Sequence, residues 1–178
     1  MKKILVSLTF LSALLLSVST VNAATPPELV GWWRFEDNAD DSSDYNNNAT
    51  EVGDPEYIND GKVGKAIRLD GDGDYVYADV ISDINEEKGT FELWVRPTDL
   101  TIKPQAFIVI NTTAGVPHNY QIQYWTDGKL YFRVNKAGQE VSALASSVEF
   151  TQGDWHHLAM TWDSAGVNAY HDEALIGS

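Results

Sequence analysis

Short apolar and polar alternations run along most of this chain, broken about every ten residues by Gly, Asp, Asn or Pro. That spacing predicts an all-β fold built as a two-sheet antiparallel sandwich. Trp33 and Phe35 are expected on one face of a first strand, with Trp32, Arg34 and Glu36 on the other. Ile67 and Leu69 repeat the pattern, and Asp70-Gly71-Asp72-Gly73-Asp74 reads as a hairpin turn into Tyr75-Val76-Tyr77-Ala78. Phe91, Leu93 and Val95 alternate with Glu92, Trp94 and Arg96 until Pro97 stops the strand, so this strand is expected to be half-buried. The continuous apolar run Phe107 to Ile110 instead predicts a strand covered on both faces.

The clearest local element is a hairpin. Tyr120, Ile122 and Tyr124 alternate with Gln121, Gln123 and Trp125, and Thr126-Asp127-Gly128 leads into Leu130, Phe132 and Val134. A two-residue turn at Asp127-Gly128 would set Trp125 opposite Leu130 and mix glutamines into the apolar face. A three-residue loop with Gly128 as the left-handed bulge residue sets Tyr124 opposite Leu130 and Ile122 opposite Phe132. The second register keeps one face apolar and is the one expected. Leu158, Met160 and Trp162 share a face further on, and Val167 to Tyr170 begins another strand. Ile81 to Lys88 has at most one helical turn, with Ser82 as cap but Asn85 where a capping box needs Glu or Gln.

Composition narrows the function. Residues 1–23 read as a secretory signal, with Lys2 and Lys3, an apolar run from Ile4 to Leu16 and Val21-Asn22-Ala23 before the cut. Residues 24–178 then form one exported domain, secreted or held at the cell surface, with no segment expected to insert in a membrane. The chain has no cysteine, so packing rather than disulfides must stabilise it. Removing the two lysines with the leader moves the net charge from −14 to −16. Nucleic acid and anionic lipid are therefore poor partners, whereas calcium and neutral glycans are compatible ones.

Several short motifs, taken in order, resemble the laminin-G-like jelly-roll family within the concanavalin A-like lectin and glucanase fold. They are Trp33-Arg34-Phe35-Glu36, Asp41-Ser42-Ser43 with Asn47, Gly61-Lys62-Val63-Gly64-Lys65-Ala66, Leu69-Asp70-Gly71 with Asp74-Tyr75-Val76, Phe91 to Pro97, Trp155-His156-His157-Leu158-Ala159 and Tyr170-His171-Asp172. The resemblance implies a jelly roll. It also implies closing strands beyond Ser178, so a sandwich incomplete at its C-terminus and belonging to a longer chain is expected. The family's usual Tyr-Val-Asp-Gly hairpin is replaced here by Tyr170-His171-Asp172-Glu173, which lacks the glycine that tolerates positive φ.

Candidate chemistry is sparse. The loop from Asp37 to Asn48 is rich in oxygen ligands, and Glu36, Asp41 and Asn47 are the positions assigned to a possible calcium ion, against the alternative that they form turns. Asp70, Asp72 and Asp74 imitate an EF-hand start, but Tyr75 and Ile81 stand where Gly and Glu are required. Adjacent His156 and His157 point to opposite faces and do not chelate one ion together, and His118 and His171 have no recognisable ligand spacing. Asn48-Ala49-Thr50 and Asn111-Thr112-Thr113 are formal glycosylation acceptors expected to stay unmodified behind a bacterial-looking signal.

The glucanases of this fold carry carboxylates as Glu-x-Asp-x-x-Glu along one strand, and that spacing is missing here; the run Glu36 to Asp40 is nearest and out of register. The expected function is a non-catalytic recognition module that binds carbohydrate or another extracellular polymer. The alternative is a structural or adhesion spacer that contacts extracellular protein only. For the first, Gln121, Gln123, Trp125, Tyr131 and Arg133 form the expected ligand face, with rings to stack on sugars and amides or guanidinium to bond hydroxyls.

Overall fold

A computed structural model describes residues 29–78, 83–85, 87–101, 103–111, 119–136, 139–145 and 149–178. Twelve strands lie within these residues: β1 (Ala49–Val52), β2 (Glu56–Ile58), β3 (Ala66–Arg68), β4 (Tyr75–Ala78), β5 (Gly89–Val95), β6 (Gln105–Asn111), β7 (Asn119–Tyr124), β8 (Leu130–Lys136), β9 (Gln139–Ala145), β10 (His156–Asp163), β11 (Gly166–His171) and β12 (Ala174–Gly177). No α-helix occurs among the described residues, and none of their segments is a helix long and apolar enough to cross a membrane.

Two four-stranded antiparallel sheets form the sandwich, in the orders β12-β11-β10-β5 and β6-β7-β8-β9. Two small sheets, β1-β4 and β2-β3, accompany them. Alternation builds the core: Tyr120, Ile122, Phe132 and Val134 from one sheet and Leu158, Met160 and Ala169 from the other are fully buried. Tyr120 lies 4.6 Å from Trp162 and 5.3 Å from Phe91, ring centre to ring centre, and Phe91 lies 4.8 Å from Trp162. These rings join the two layers, Phe91 edge-on to Tyr120 and both tilted against Trp162.

The β7–β8 hairpin has the register expected from its alternation, with Tyr124 opposite Leu130 and Ile122 opposite Phe132. Gly128 is left-handed at φ 79°, and its N–H donates to the Trp125 carbonyl while Trp125 N–H donates to Lys129 O. This is the three-residue bulged loop.

Three expectations need correction. Trp33 makes only an isolated bridge to Asp41, and Phe35 is left-handed at φ 55°, so no first strand runs through Trp32 to Glu36. Side-chain bonds to Asp41 fold the chain back at this point, an interaction that alternation does not report. The run Phe107 to Ile110 lies in β6 at the edge of its sheet, and Val109 is 45% exposed. Asp70 to Asp74 turns the chain between β3 and β4, which pair with β2 and β1 rather than with each other, so it is not a hairpin. Around Asn85 the described residues are not helical; the Asn85 amide oxygen instead accepts the N–H groups of Glu87 and Lys88. Ser82 lies outside the described residues.

Gly89 shows how tightly the layers meet. It stands opposite Trp162, and a Cβ added there would come within 2.2 Å of the indole. The indole N–H donates to the Asn85 carbonyl at 3.1 Å, which fixes the ring in that place. Gly89→Ala is therefore expected to cost about 1–3 kcal/mol of stability by overpacking. Thr90→Ala, at an exposed neighbour, is expected to stay within about 0.5 kcal/mol. Urea unfolding followed by tryptophan fluorescence measures both.

Candidate functional site: an aromatic face, an aspartate hub and a buried histidine cluster

The five residues expected to form a ligand face come together. Pairing sets Gln121 opposite Arg133 and Gln123 opposite Tyr131, all on the side of β7–β8 turned away from the core. Trp125, just past β7, meets Tyr131 edge-on with ring centres 6.4 Å apart. The Arg133 guanidinium lies over both rings, 5.3 Å from Trp125 and 4.8 Å from Tyr131. Each ring's negative π face attracts the cation, so the three side chains hold one another in place. The Tyr131 hydroxyl donates to Asp127 at 2.7 Å, which tethers it to the loop and lifts its pKa above the ordinary tyrosine value. Asp127 is correspondingly held below the ordinary carboxylate range. Beside this group, the Gln123 amide oxygen is buried and accepts no hydrogen bond.

The three residues assigned to calcium have other partners here. Asp41 is buried, and its Oδ1 accepts the N–H groups of Trp32 (2.7 Å) and Ser43 (2.8 Å). Its Oδ2 accepts the Ser43 hydroxyl (2.6 Å) and Asn47 N–H (2.9 Å). Burial alone would raise the pKa of this carboxyl, but the bonds from Ser43, Trp32 and Asn47 outweigh it and leave the pKa below 3.8. The Asn47 side-chain amide donates to Val30 O, and the Asn47 backbone carbonyl accepts the Trp33 indole N–H. Glu36 accepts the Lys65 N–H and lies where a Cβ on Gly64, itself at φ 64°, would clash with it. This arrangement is turn chemistry around a buried carboxylate. Calcium at Asp41 would have to displace four hydrogen-bond donors.

A third constellation escaped the reading of the sequence. His156 and His171 are buried at 6% and 4% exposure, with His156 Nδ1 2.9 Å from His171 Nε2. Asp172 Oδ2 lies 2.9 Å from the first nitrogen and 3.3 Å from the second. The other Asp172 oxygen accepts His157 N–H at 2.8 Å. Phe150 packs on both imidazoles, with ring centres 4.8 Å and 5.9 Å away. The β10–β11 pairing places His171 opposite Leu158, and hence diagonal to His156 on the core side. His156 and His157 do point to opposite faces, and His157 meets Trp94 and Glu92 on the outer one. Counting back from a two-residue turn at Ser164-Ala165, between β10 and β11, would have revealed the cluster, since it fixes which residues face each other. His118 lies outside the described residues.

The family model of the concanavalin A-like lectin/glucanases superfamily matches residues 70–178. The chain belongs to that superfamily, and its laminin-G-type motifs and sandwich agree with the match. Among solved structures it is similar to domain 4 of AbnA, a GH43 extracellular arabinanase from Geobacillus stearothermophilus, in complex with arabinotriose. The identity is 20% and the TM-score 0.61, covering 81% of this chain and 70% of that one, a likeness of fold. The comparison with curated proteins gave no match.

Asp41→Ala is expected to leave three backbone N–H groups and one hydroxyl without their acceptor and to destabilise the fold by about 3 kcal/mol in chemical unfolding. Because the folded pKa lies below the unfolded one, this stabilisation is present above about pH 4 and is lost as pH falls further. The wild type should therefore lose more stability between pH 4 and pH 2 than Asp41→Ala does.

Proposed function

We propose that this domain is a non-catalytic carbohydrate-recognition module, exported from the cell. The observation that carries the reading is the Trp125–Tyr131 pair clamped by Arg133 on the outer face of the β7–β8 hairpin. Sugar rings present apolar C–H faces ringed by hydroxyls, so they stack on aromatic side chains and bond amides at the edge. Gln121 and Gln123 supply such amides on that same face. Superfamily membership supports the reading, as does the fold shared with a domain solved with arabinotriose.

The lack of the Glu-x-Asp-x-x-Glu signature supports a role in binding rather than hydrolysis. The acidic chain, at −14 overall, suits a neutral polymer better than a polyanionic one.

Titration calorimetry against arabino-, xylo- and gluco-oligosaccharides, after a glycan array has ranked them, tests the proposal. Trp125→Ala is expected to weaken the best ligand at least tenfold, about 1.4 kcal/mol, with the fold intact by circular dichroism. Silence across the array, with protein partners captured instead, would favour the adhesion-spacer reading. Release of reducing sugar would establish a hydrolase.

The four donors on Asp41 also lead us to expect no rise in thermal midpoint at saturating calcium. A rise that Asp41→Ala abolishes would restore calcium to the Glu36, Asp41 and Asn47 loop.

A further inference from the structure

Three ligand-type atoms, His156 Nδ1, His171 Nε2 and Asp172 Oδ2, form a triangle with edges of 2.9, 2.9 and 3.3 Å. Among the described residues this is the group of three histidine, aspartate or glutamate side chains that could share one ion. Each imidazole nitrogen carries either one hydrogen or one in-plane lone pair. Any distribution of hydrogens over two neutral imidazoles and a carboxylate therefore leaves a mismatch. If His171 donates to His156, the His156 lone pair faces the carboxylate oxygen at 2.9 Å. If both donate to Asp172, two N–H groups face each other at 2.9 Å. If His156 alone donates, the His171 lone pair faces the carboxylate at 3.3 Å. A cation seated to one side of the triangle, ~2.1 Å from all three atoms, relieves every edge at once.

We propose that His156, His171 and Asp172 form a binding site for a first-row divalent transition-metal ion, with zinc as the best-suited probe. Metal–ligand bonds of ~2.1 Å set ligand atoms ~3.0 Å apart at right angles and ~3.4 Å apart at tetrahedral angles. The observed edges lie within about 0.1 Å of that range, so the site is formed before the ion arrives. Two imidazoles and a carboxylate suit a borderline ion rather than calcium, whose shell is made of oxygens.

The surroundings fit as well. On its far side, His156 Nε2 lies 3.2 Å from Thr151 N, whose N–H donates to it, 3.2 Å from the Thr151 carbonyl and 3.0 Å from the Thr151 hydroxyl; ligation through Nδ1 requires the tautomer in which Nε2–H donates to the carbonyl or hydroxyl instead of accepting the N–H. Phe150 covers the imidazoles and excludes water from that side. Asp172 is exposed, which gives the ion a way in and leaves room for water to complete its shell.

Tag-free protein is dialysed against micromolar zinc after chelator treatment, then assayed by equilibrium dialysis and thermal melting. Cobalt substitution followed by visible absorption reads the coordination. One zinc per chain, a raised midpoint and d–d bands of a nitrogen- and oxygen-ligated cobalt are expected. His171→Val should remove one direct ligand and weaken zinc more than about 100-fold, beyond what losing an outer-sphere partner costs. Asp172→Asn, which keeps a residue tolerant of the turn, should weaken it similarly. Circular dichroism confirms that both variants remain folded. Failure of the wild type to take up zinc, or unchanged uptake by folded His171→Val, would overturn the site.

Discussion

The contact among Phe91, Tyr120 and Trp162 is the constraint on which the rest of the molecule depends. These rings come from β5, β7 and β10, on both layers, and their centres lie 4.6–5.3 Å apart. Without disulfides, the two sheets are held by such burial, and a single large aromatic side chain contributes a few kcal/mol. Once Tyr120 and Ile122 are committed inward, strand geometry leaves Gln121 and Gln123 no choice but the outer face. The candidate ligand surface is thus the reverse side of the core.

Polar interactions then organise what packing leaves undecided. The Asp41 carboxylate gathers backbone from Trp32, Ser43 and Asn47, while the Asn47 side chain reaches back to Val30. One buried charge replaces the regular ladder that Trp32 to Glu36 does not form. Across the sandwich, Lys62 sits 4.2 Å from the Trp94 ring and Arg96 pairs with Asp60, so the turn after β2 covers part of the other sheet's outer face. The two outer faces therefore differ. One carries loop segments, and the other presents the Trp125 group.

Legibility in the sequence followed the range of the forces involved. The β7–β8 register could be read because alternation and the left-handed Gly128 both demand it. The outward set of Gln121, Gln123, Tyr131 and Arg133 followed from that register alone, whereas the guanidinium lying over two rings is side-chain geometry beyond any pattern. β6 was misjudged because an apolar run records hydrophobicity but not strand neighbours, and neighbours decide whether Val109 is covered. The chain reversal at Trp32 to Asp41 depends on one carboxylate meeting donors up to nine residues away, which has no period. His156 and His171 escaped notice for a related reason. Their proximity is a product of pairing between strands, and each residue looks unremarkable in its own segment.

The β11–β12 turn has a further implication. Asp172 and Glu173 both adopt left-handed backbone, at φ 46° and 70°, where glycine is the usual choice. Each such residue costs of order 1 kcal/mol. The bonds from Asp172 to His157 N–H and to His156 are what hold the chain in that shape. This tip of the sandwich is accordingly a sprung latch. Its amides should exchange with solvent ahead of the aromatic interior, through a local opening that leaves the rest of the sheet closed.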